Sequence, residues 1–450
     1  MKMDRISFLP NSILCNILSY LPTEEAVSTS ILSSRWRQVC KELQVFDIDD
    51  TPFRSGLEWE ARFVSYVNAI LTQRNADYPI QKFRLTCNKV SKSLLLTWLN
   101  AVIGPHLQEL YLNIDLPIKL PEAILTCPSL KSLILKRDSF LDSYPKFSNV
   151  YLPSLKNLEL DIVYMDPSKL LSGCPVLENF KLILQVHDNS CVALIPTMQQ
   201  MPRTLKSLII EDNTFFNGVS HRLILIDTPS LEYLHIKVMT LLNSKLEFSF
   251  SNFINIVEAH LDLLHDCIYH VGWVPHLLHA LRETKLLALK GYSTLCLFSA
   301  PAFEFPEFHR LLNLELDVPC FSTNFLLNFL HNSHVLEALV IHDISKEKYF
   351  HLVEYDVPAP PTMVPNCVTS HLKSFEFRGY EDSVDKREFI AYLLQRGLAL
   401  EIVTIHLNYV FNQETKYDIV RELSAIPRAS TTRQLNFIDQ NAVEHGMNYH

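Results

Sequence analysis

The sequence predicts an α/β protein: a three-helix unit at the N-terminus, a curved solenoid of strand–turn–helix repeats behind it, and a capping segment at the C-terminus. Three observations predict this. Apolar residues near the N-terminus fall at helical spacing. From Ile80 onward the template apolar-x-x-apolar-x-apolar returns again and again. A proline-rich stretch, PAPPTMVP, interrupts that return around Pro360.

Composition sets the frame for these elements. The chain has 450 residues, 48% hydrophobic and 20% charged, with a net charge of −9 and a pI near 6.1. That is enough apolar material for a large core and too little net charge for disorder. No run of Lys or Arg supplies the basic face that a nucleic acid needs, so no nucleic-acid partner is expected. No apolar run approaches the roughly 18 residues of a membrane span. Lys2 and Arg5 precede apolar Ile13–Leu21, but Asp4, Pro10, Asn11 and Asn16 break the stretch and Glu24 and Glu25 follow it, so no secretion signal is expected. Only 9 glycines occur, widely spaced, which argues against the clustered-glycine loops that cradle phosphates. His-Glu-x-x-His and Gly-x-Ser-x-Gly are absent. The 10 cysteines form no Cys-x-x-Cys, so reduced, mostly buried thiols in a cytoplasmic or nuclear protein are expected, with no metal and no cofactor.

The N-terminal helices come first. Pro10 suits a first turn, with Asn11 or Ser12 helping to cap. Ile13, Ile17, Leu18 and Leu21 share a predicted apolar face, and Pro22 ends the helix. Thr23 is the expected cap of the second helix, with Glu24 and Glu25 at the positive end of its dipole. Val27, Ile31, Leu32, Trp36 and Val39 continue the stripe. Three helices this short cannot bury a self-sufficient core, so their apolar stripe calls for a partner.

The segment DRISFLPNSILCNILSYLPTEEAVSTSILSSRWRQVCK resembles the F-box of plant F-box proteins. The resemblance rests on Asp-Arg-Ile-Ser, Leu-Pro, Ile-Leu-Ser-Tyr-Leu-Pro-Thr, Ala-Val, Thr-Ser and Arg-Trp. It implies that the helices bind the Skp adaptor of a Skp–cullin–F-box ubiquitin ligase. Contacts would then fall on Leu9, Pro10, Ile13, Ile17, Leu18, Leu21, Val27, Leu32 and Trp36. Two positions depart from the family pattern: Phe8 stands where Asp is usual, and Ser34 where Lys or a similar residue precedes Arg-Trp.

The repeat template starts at Ile80, Leu107, Leu130, Leu155, Leu177, Leu205, Leu231, Ile256, Leu286, Leu311, Leu336, Leu372 and Leu400. Most intervals are about 22 to 30 residues, the leucine-rich-repeat range. The Ile256 window is degenerate because Ala259 sits at its middle, and the Leu286 window because it ends on Gly291. In each window the apolar residues point inward from a short strand, and its other residues point outward. One repeat cannot bury its own leucines; stacked neighbours can, along a parallel sheet. Short helices such as Pro167–Ser172 and Thr323–Leu330 follow the strands. Cys127 and Cys174, with Thr228 and His334 in the equivalent place, are small residues ahead of a strand rather than reactive groups. The run Gly-Cys-Pro-x-Leu-Glu at 173–178 is similar to the plant leucine-rich F-box proteins.

Residues 362–410 resemble the FBD domain that accompanies F-boxes and leucine-rich repeats in plants. The resemblance rests on Val364-Pro365-x-Cys367, Leu372, Phe375, Gly379-Tyr380, Glu381–Asp382 and a helix Glu388–Leu394. Lys416-Tyr417, Arg421-Glu422-Leu423 and Pro427-Arg428-Ala429-Ser430 extend it. The expected domains are an F-box over 1–48, leucine-rich repeats over 49–355 (regular from about 75 to 345), and an FBD cap over 356–440.

No catalytic residues are assigned. His260, His265, His270, His276, His279 and Cys267 match no usual zinc spacing, and Lys346-Glu-Lys348 reads as an exposed turn. Glu159, Asp161, Tyr233, His235, Glu315, Asp317, Glu376 and Arg378 lie on outward strand positions and form the candidate target-binding face. The reading is a non-catalytic substrate-recruiting subunit, partnered by the Skp adaptor, through it by cullin, and by a target protein of unknown identity. The alternative is a repeat interaction protein or small-molecule receptor outside a ligase.

Overall fold

A computed structural model describes residues 6, 8–88, 90–115, 120–136, 149–162, 167–184, 201–213, 220–239, 244–251, 253–264, 272–298, 303–344, 363–408, 411–429 and 434–439. Residues His265, Cys267, His270, Lys346–Lys348, Ser430 and most of PAPPTMVP lie outside that set, as does Cys191. The chain divides into two compact units, Met1–Leu205 and Lys206–His450.

The first unit opens with helices α1 (Asn11–Leu18), α2 (Thr23–Ser28) and α3 (Ser34–Lys41), with a 3-10 turn at Thr29–Ile31. Strand β1 (Val45–Asp49), α4 (Trp59–Gln73), β2 (Lys82–Cys87), α5 (Lys92–Val102) and β3 (Glu109–Ile114) follow. Then come α6 (Glu122–Leu125), β4 (Ser132–Lys136), β5 (Asn157–Ile162), α7 (Ser168–Ser172) and β6 (Asn179–Leu184). The strands pair in parallel and in chain order, with equal register from repeat to repeat. Parallel pairing of consecutive strands forces a return limb between each pair, and α4, α5, α6 and α7 lie in the limbs that follow β1, β2, β3 and β5.

The second unit holds β7 (Ser207–Asp212), β8 (Ser220–Ile226), β9 (Tyr233–Val238), β10 (Ser244–Phe250), β11 (Glu258–Leu263), α8 (Val274–Ala280), β12 (Leu286–Gly291) and α9 (Ser293–Phe298). It continues with β13 (Asn313–Val318), α10 (Thr323–His331), β14 (Ala338–Asp343), α11 (Asn366–Ser370) and β15 (Ser374–Tyr380). It ends with α12 (Val384–Arg396), β16 (Ile402–Leu407), α13 (Gln413–Ser424) and β17 (Gln434–Asp439). Its main sheet runs β7-β9-β11-β12-β13-β14-β15-β16-β17, all parallel. Two return limbs that were expected to be helical are strands instead: β8 and β10 pair with each other in parallel. Alternation in SHRLILI and SKLEFSF, a period of two, is the local signal for this.

The template residues make the core. Leu110 and Leu112, Leu158 and Leu160, Leu314 and Leu316, and Phe375 and Phe377 are all buried. A further window the expectation lacks, Leu43-x-x-Phe46-x-Ile48, places β1 in the same series, and all three residues are buried. The Leu286 window is corrected. Leu286 pairs with Glu258 and Asn313, the first residues of their strands, so the repeat begins two residues earlier at Thr284. Thr284 is fully buried, which its hydroxyl tolerates by reaching the Val257 carbonyl at 3.1 Å. Gly291 is also explained: its φ is +59°, and a Cβ there would stand 2.4 Å from the Leu263 carbonyl oxygen. Gly379 repeats the device at the same place in its own strand, with φ +69° and the Asp343 carbonyl 2.7 Å from a Cβ.

Cap positions needed correction too. Pro10 and Pro22 occupy the N-caps of α1 and α2, with no side-chain cap. Neither Asn11 nor Ser12 caps. The Thr23 hydroxyl instead accepts the Asp47 backbone N–H at 2.7 Å, fastening α2 to the edge of β1. Ser91, Ser322, Ser383 and Asn412 do cap α5, α10, α12 and α13. The small residue expected at His334 is Ser333: Ser333 is fully buried and donates to the Phe329 carbonyl at 2.8 Å.

In the C-terminal segment, β15, β16 and β17 prolong the parallel sheet. Helix α12 is longer than Glu388–Leu394, running from Val384 to Arg396. Phe389, Ile390, Leu393 and Leu394 of α12 and Leu423 of α13 are buried.

Candidate functional site

Most of the large apolar side chains exposed among the described residues of the first unit lie on or beside the N-terminal helices. Leu14, Leu18, Ala26, Trp36 and Val39 form their small core. Ile13 (45% exposed), Ile17 (44%), Leu21 (38%) and Leu32 (64%) stay outside it. Pro10 is exposed, and Leu9 and Val27 are half-buried. The single face expected for Ile13, Ile17, Leu18 and Leu21 is split. Leu14 and Leu18, four residues apart, turn inward, and Ile13 and Ile17, one step round the helix, turn outward. Leu18 (3%) and Trp36 (9%) are therefore core residues of this chain. Four residues absent from the expected set widen the exposed face: Ile6, Phe8 (75%), Tyr20 (83%) and Ile31 (89%). Fully burying one such side chain is worth roughly 1.5–3 kcal/mol, so a face this size favours a partner.

A polar bracket lies beside that face. The Arg35 guanidinium donates to Asn11 Oδ1 from Nε and Nη2, at 3.2 Å each, and to the Leu9 carbonyl. Asn11 Nδ2 donates to Glu42 Oε2 at 3.3 Å, and Gln38 Nε2 to Glu42 Oε1 at 3.2 Å.

The sheet surface of the first unit presents Glu159, held by Lys136 at 3.2 Å, while Asp161 is only 9% exposed. Three residues outside the expected set continue this surface across the strands from β4 back to β2. The Arg84 guanidinium lies 4.1 Å from the Tyr111 ring centroid, and Lys136 lies 5.9 Å from it on the neighbouring strand. Arg84 also meets Asp47 at 3.4 Å. All occupy outward positions of the Leu43, Ile80, Leu107 and Leu130 windows, so their placement was readable from the repeat phase.

In the second unit the structure gathers four expected residues into one ionic cluster. Arg378 reaches Glu376 at 2.8 Å and Glu315 at 3.2 Å. Lys290 also pairs with Glu315, and His406 Nε2 stands 2.9 Å from Glu376. Asp317, 8% exposed, accepts the Gly291 N–H at 2.7 Å and lies 3.3 Å from His342 Nδ1. Burial alone would raise the Glu376 carboxyl, but Arg378 and His406 outweigh it and hold it below the usual carboxylate value of 4.5. Tyr233 and His235 sit apart from this cluster, with ring centroids 5.7 and 5.8 Å from His260. His260 Nε2 lies 2.6 Å from Glu258.

The buried thiols are suited to packing. Burial pushes Cys87, Cys174 and Cys367 up to about 12, and the Cys174 Sγ donates to the Leu170 carbonyl at 3.1 Å. His276 and His279 are exposed on α8, away from His260 on β11. Among the described residues no group of three or more His, Cys, Asp or Glu is placed to hold a metal ion. No described helix is long and apolar enough to cross a membrane.

Comparisons with known proteins bear on these surfaces. Residues 6–47 match the F-box domain model, 95–260 match the LRR repeats of an FBD-associated F-box protein, and 360–405 match the FBD model. An F-box/FBD/LRR-repeat protein of Arabidopsis thaliana is 30% identical over 97% of this chain and 100% of its own length. An F-box/LRR-repeat protein of the same plant is 32% identical over 76% of this chain and 85% of its own. An FBD-associated F-box protein is 29% identical over 97% and 100%. The exposed helical face coincides with the F-box match, and likeness extends over nearly the whole of both chains, so this chain belongs to the plant F-box/FBD/leucine-rich-repeat family.

Proposed function

We propose that the chain is the substrate-recognition subunit of a Skp–cullin–F-box ubiquitin ligase. The F-box docks on the Skp adaptor and through it on cullin, and the repeats recruit a target protein. The chemistry of ubiquitin transfer belongs to the other subunits; this chain contributes proximity, an effective concentration of target beside the loaded enzyme.

One observation carries the reading. Ile13, Ile17, Leu21, Ile31 and Leu32 are exposed on helices too small to need them, within the segment that matches the F-box. Their exposure is costly in a free chain and useful in a bound one. On this reading Leu18 and Trp36 support the docking face from beneath rather than touching the adaptor. The target-binding face is assigned to the sheet, around Glu159 and Asp161 in one unit and around Tyr233, His235, Glu315, Asp317, Glu376 and Arg378 in the other. The boundaries 1–48, 49–355 and 356–440 and a curved array closed by the FBD segment belong to the same reading, with α12 and α13 covering the last strands.

The experiment is co-purification of the full chain with a plant Skp adaptor. Capture of the adaptor by the wild-type chain, lost in Ile17→Asp, supports the proposal. No capture under conditions where another F-box protein binds the same adaptor overturns it.

A further inference from the structure

We propose that Asn11 and Arg35 are positioning residues for adaptor docking. They hold the segment ahead of α1 against α3, so that Phe8 joins the docking face. The inference rests on reading the F-box as an adaptor-binding unit.

The geometry is that of a bracket between distant parts of the chain. Arg35 is the second residue of α3, yet its guanidinium reaches back to the Leu9 carbonyl and to Asn11 Oδ1. Asn11 sits where a helix cap was expected, but Pro10 holds the cap position and the Asn11 amide is turned toward α3. Its other end donates to Glu42, only 8% exposed, just past the C-terminus of α3. Asn11 thus links the cation at one end of α3 to the anion at the other. A planar fork that engages two acceptors at once is a property of Arg that Lys lacks.

The bracket controls what precedes α1. The Leu9 N–H donates to the Ile6 carbonyl at 3.0 Å, so fixing Leu9 fixes the turn that carries Phe8. Phe8 is 75% exposed there. Phe8 thus offers the adaptor an apolar side chain at the start of the docking face. An aromatic side chain on an untethered segment would lose conformational freedom on binding; one already held in place loses less.

The test measures the affinity of the full-length chain and its variants for one purified plant Skp adaptor. Melting temperature and amide exchange of the repeat strands report folding in parallel. Asn11→Ala should weaken binding about tenfold, mainly through faster dissociation, with the repeat strands unchanged. Amide exchange over residues 6–10 should quicken at the same time. Asn11→Asp combined with Glu42→Gln keeps the acceptor for Arg35 and a hydrogen bond between positions 11 and 42, now donated by the Gln amide, and should bind within about threefold of wild type, a rescue that simple loss of helix stability would not show. Arg35→Lys should weaken binding, and Phe8→Asp should cost as much as Asn11→Ala. Wild-type binding with Asn11→Ala and Phe8→Asp equally tight would overturn the positioning role and leave the adaptor reading intact. Failure of the wild type itself to bind would overturn both.

Discussion

The N-terminal helices and the repeat strands solve opposite problems with the same kinds of residue. In the strands the apolar side chains are consumed inside: Leu112, Leu160, Ile341 and Phe377 are each at most 1% exposed. Their outward charges are largely spent on one another, as in the Lys290–Glu315–Arg378–Glu376–His406 chain. In the helices the apolar side chains outnumber the core they can form, and Phe8, Tyr20, Ile31 and Leu32 are left outside. Burial marks stability in the strands, and on the proposed function its absence marks binding in the helices.

The sharpest way to break this contrast is to cut an apolar residue from each side. Phe377→Ala removes a fully buried ring packed near Phe375 and Tyr380, and should cost about 3–5 kcal/mol in chemical denaturation. Ile17→Ala, on the exposed face, should stay within about 0.5 kcal/mol of wild type while weakening adaptor binding. A large stability loss from Ile17→Ala would show that the exposed face is structural.

The next effect tests a charge that the repeats bury. Lys386 on α12 pairs with Asp343 at the end of β14, at side-chain exposures of 8% and 1%. Lys386→Met removes the cation paired with the buried Asp343 carboxylate and should cost about 3 kcal/mol, read from the unfolding midpoint. Adding Asp343→Leu should recover most of the loss, because an apolar pair needs no compensation for desolvation.

Gly291→Ala comes third. The positive φ and the Leu263 carbonyl against its Cβ should together cost about 1–3 kcal/mol, measured by thermal denaturation. Gly104, half-buried and with nothing within 4 Å of a Cβ, should accept Ala without such a loss.

The smallest effect is a pH dependence. The folded Glu376 carboxyl lies below its unfolded value, so the folded protein holds fewer protons there and gains stability above the unfolded value of about 4.5. That gain is lost as pH falls through the depressed folded value. The melting temperature of wild type should drop slightly more than that of Glu376→Gln between pH 6 and pH 3, roughly the span over which carboxylates titrate. Because Glu376 is partly exposed, the difference should shrink further in high salt.

Much of the fold was legible in the sequence, and each departure has its own physical cause. The strand windows fell in place from Ile80 to Leu400, since an inward residue must be apolar and the alternation leaves little choice. The Leu286 window slipped because Thr284 carries a hydroxyl that the backbone satisfies, so a polar residue stands at a core position. The return limbs β8 and β10 depart from the helical expectation because SHRLILI and SKLEFSF alternate with a period of two, which suits strands. Among the site residues, Glu315, Asp317, Glu376 and Arg378 are legible as outward positions from the alternation alone. Lys290, His342 and His406, which complete their cluster, lie on strands far apart in sequence and were not joined to them.

What the sequence determined alone is the repeat phase: which residues face the core, which face out, and where the F-box and FBD segments lie. A period of two on a sheet buried along one face admits one answer, because a shift by one residue would turn every leucine to solvent. Tertiary structure decided two things. It chose which side of α1 faces out, because Ile13 and Ile17 are as apolar as Leu14 and Leu18 and only packing against α3 separates them. It also chose the partners of each charge, because side chains remote in sequence meet only when their strands lie in equal register.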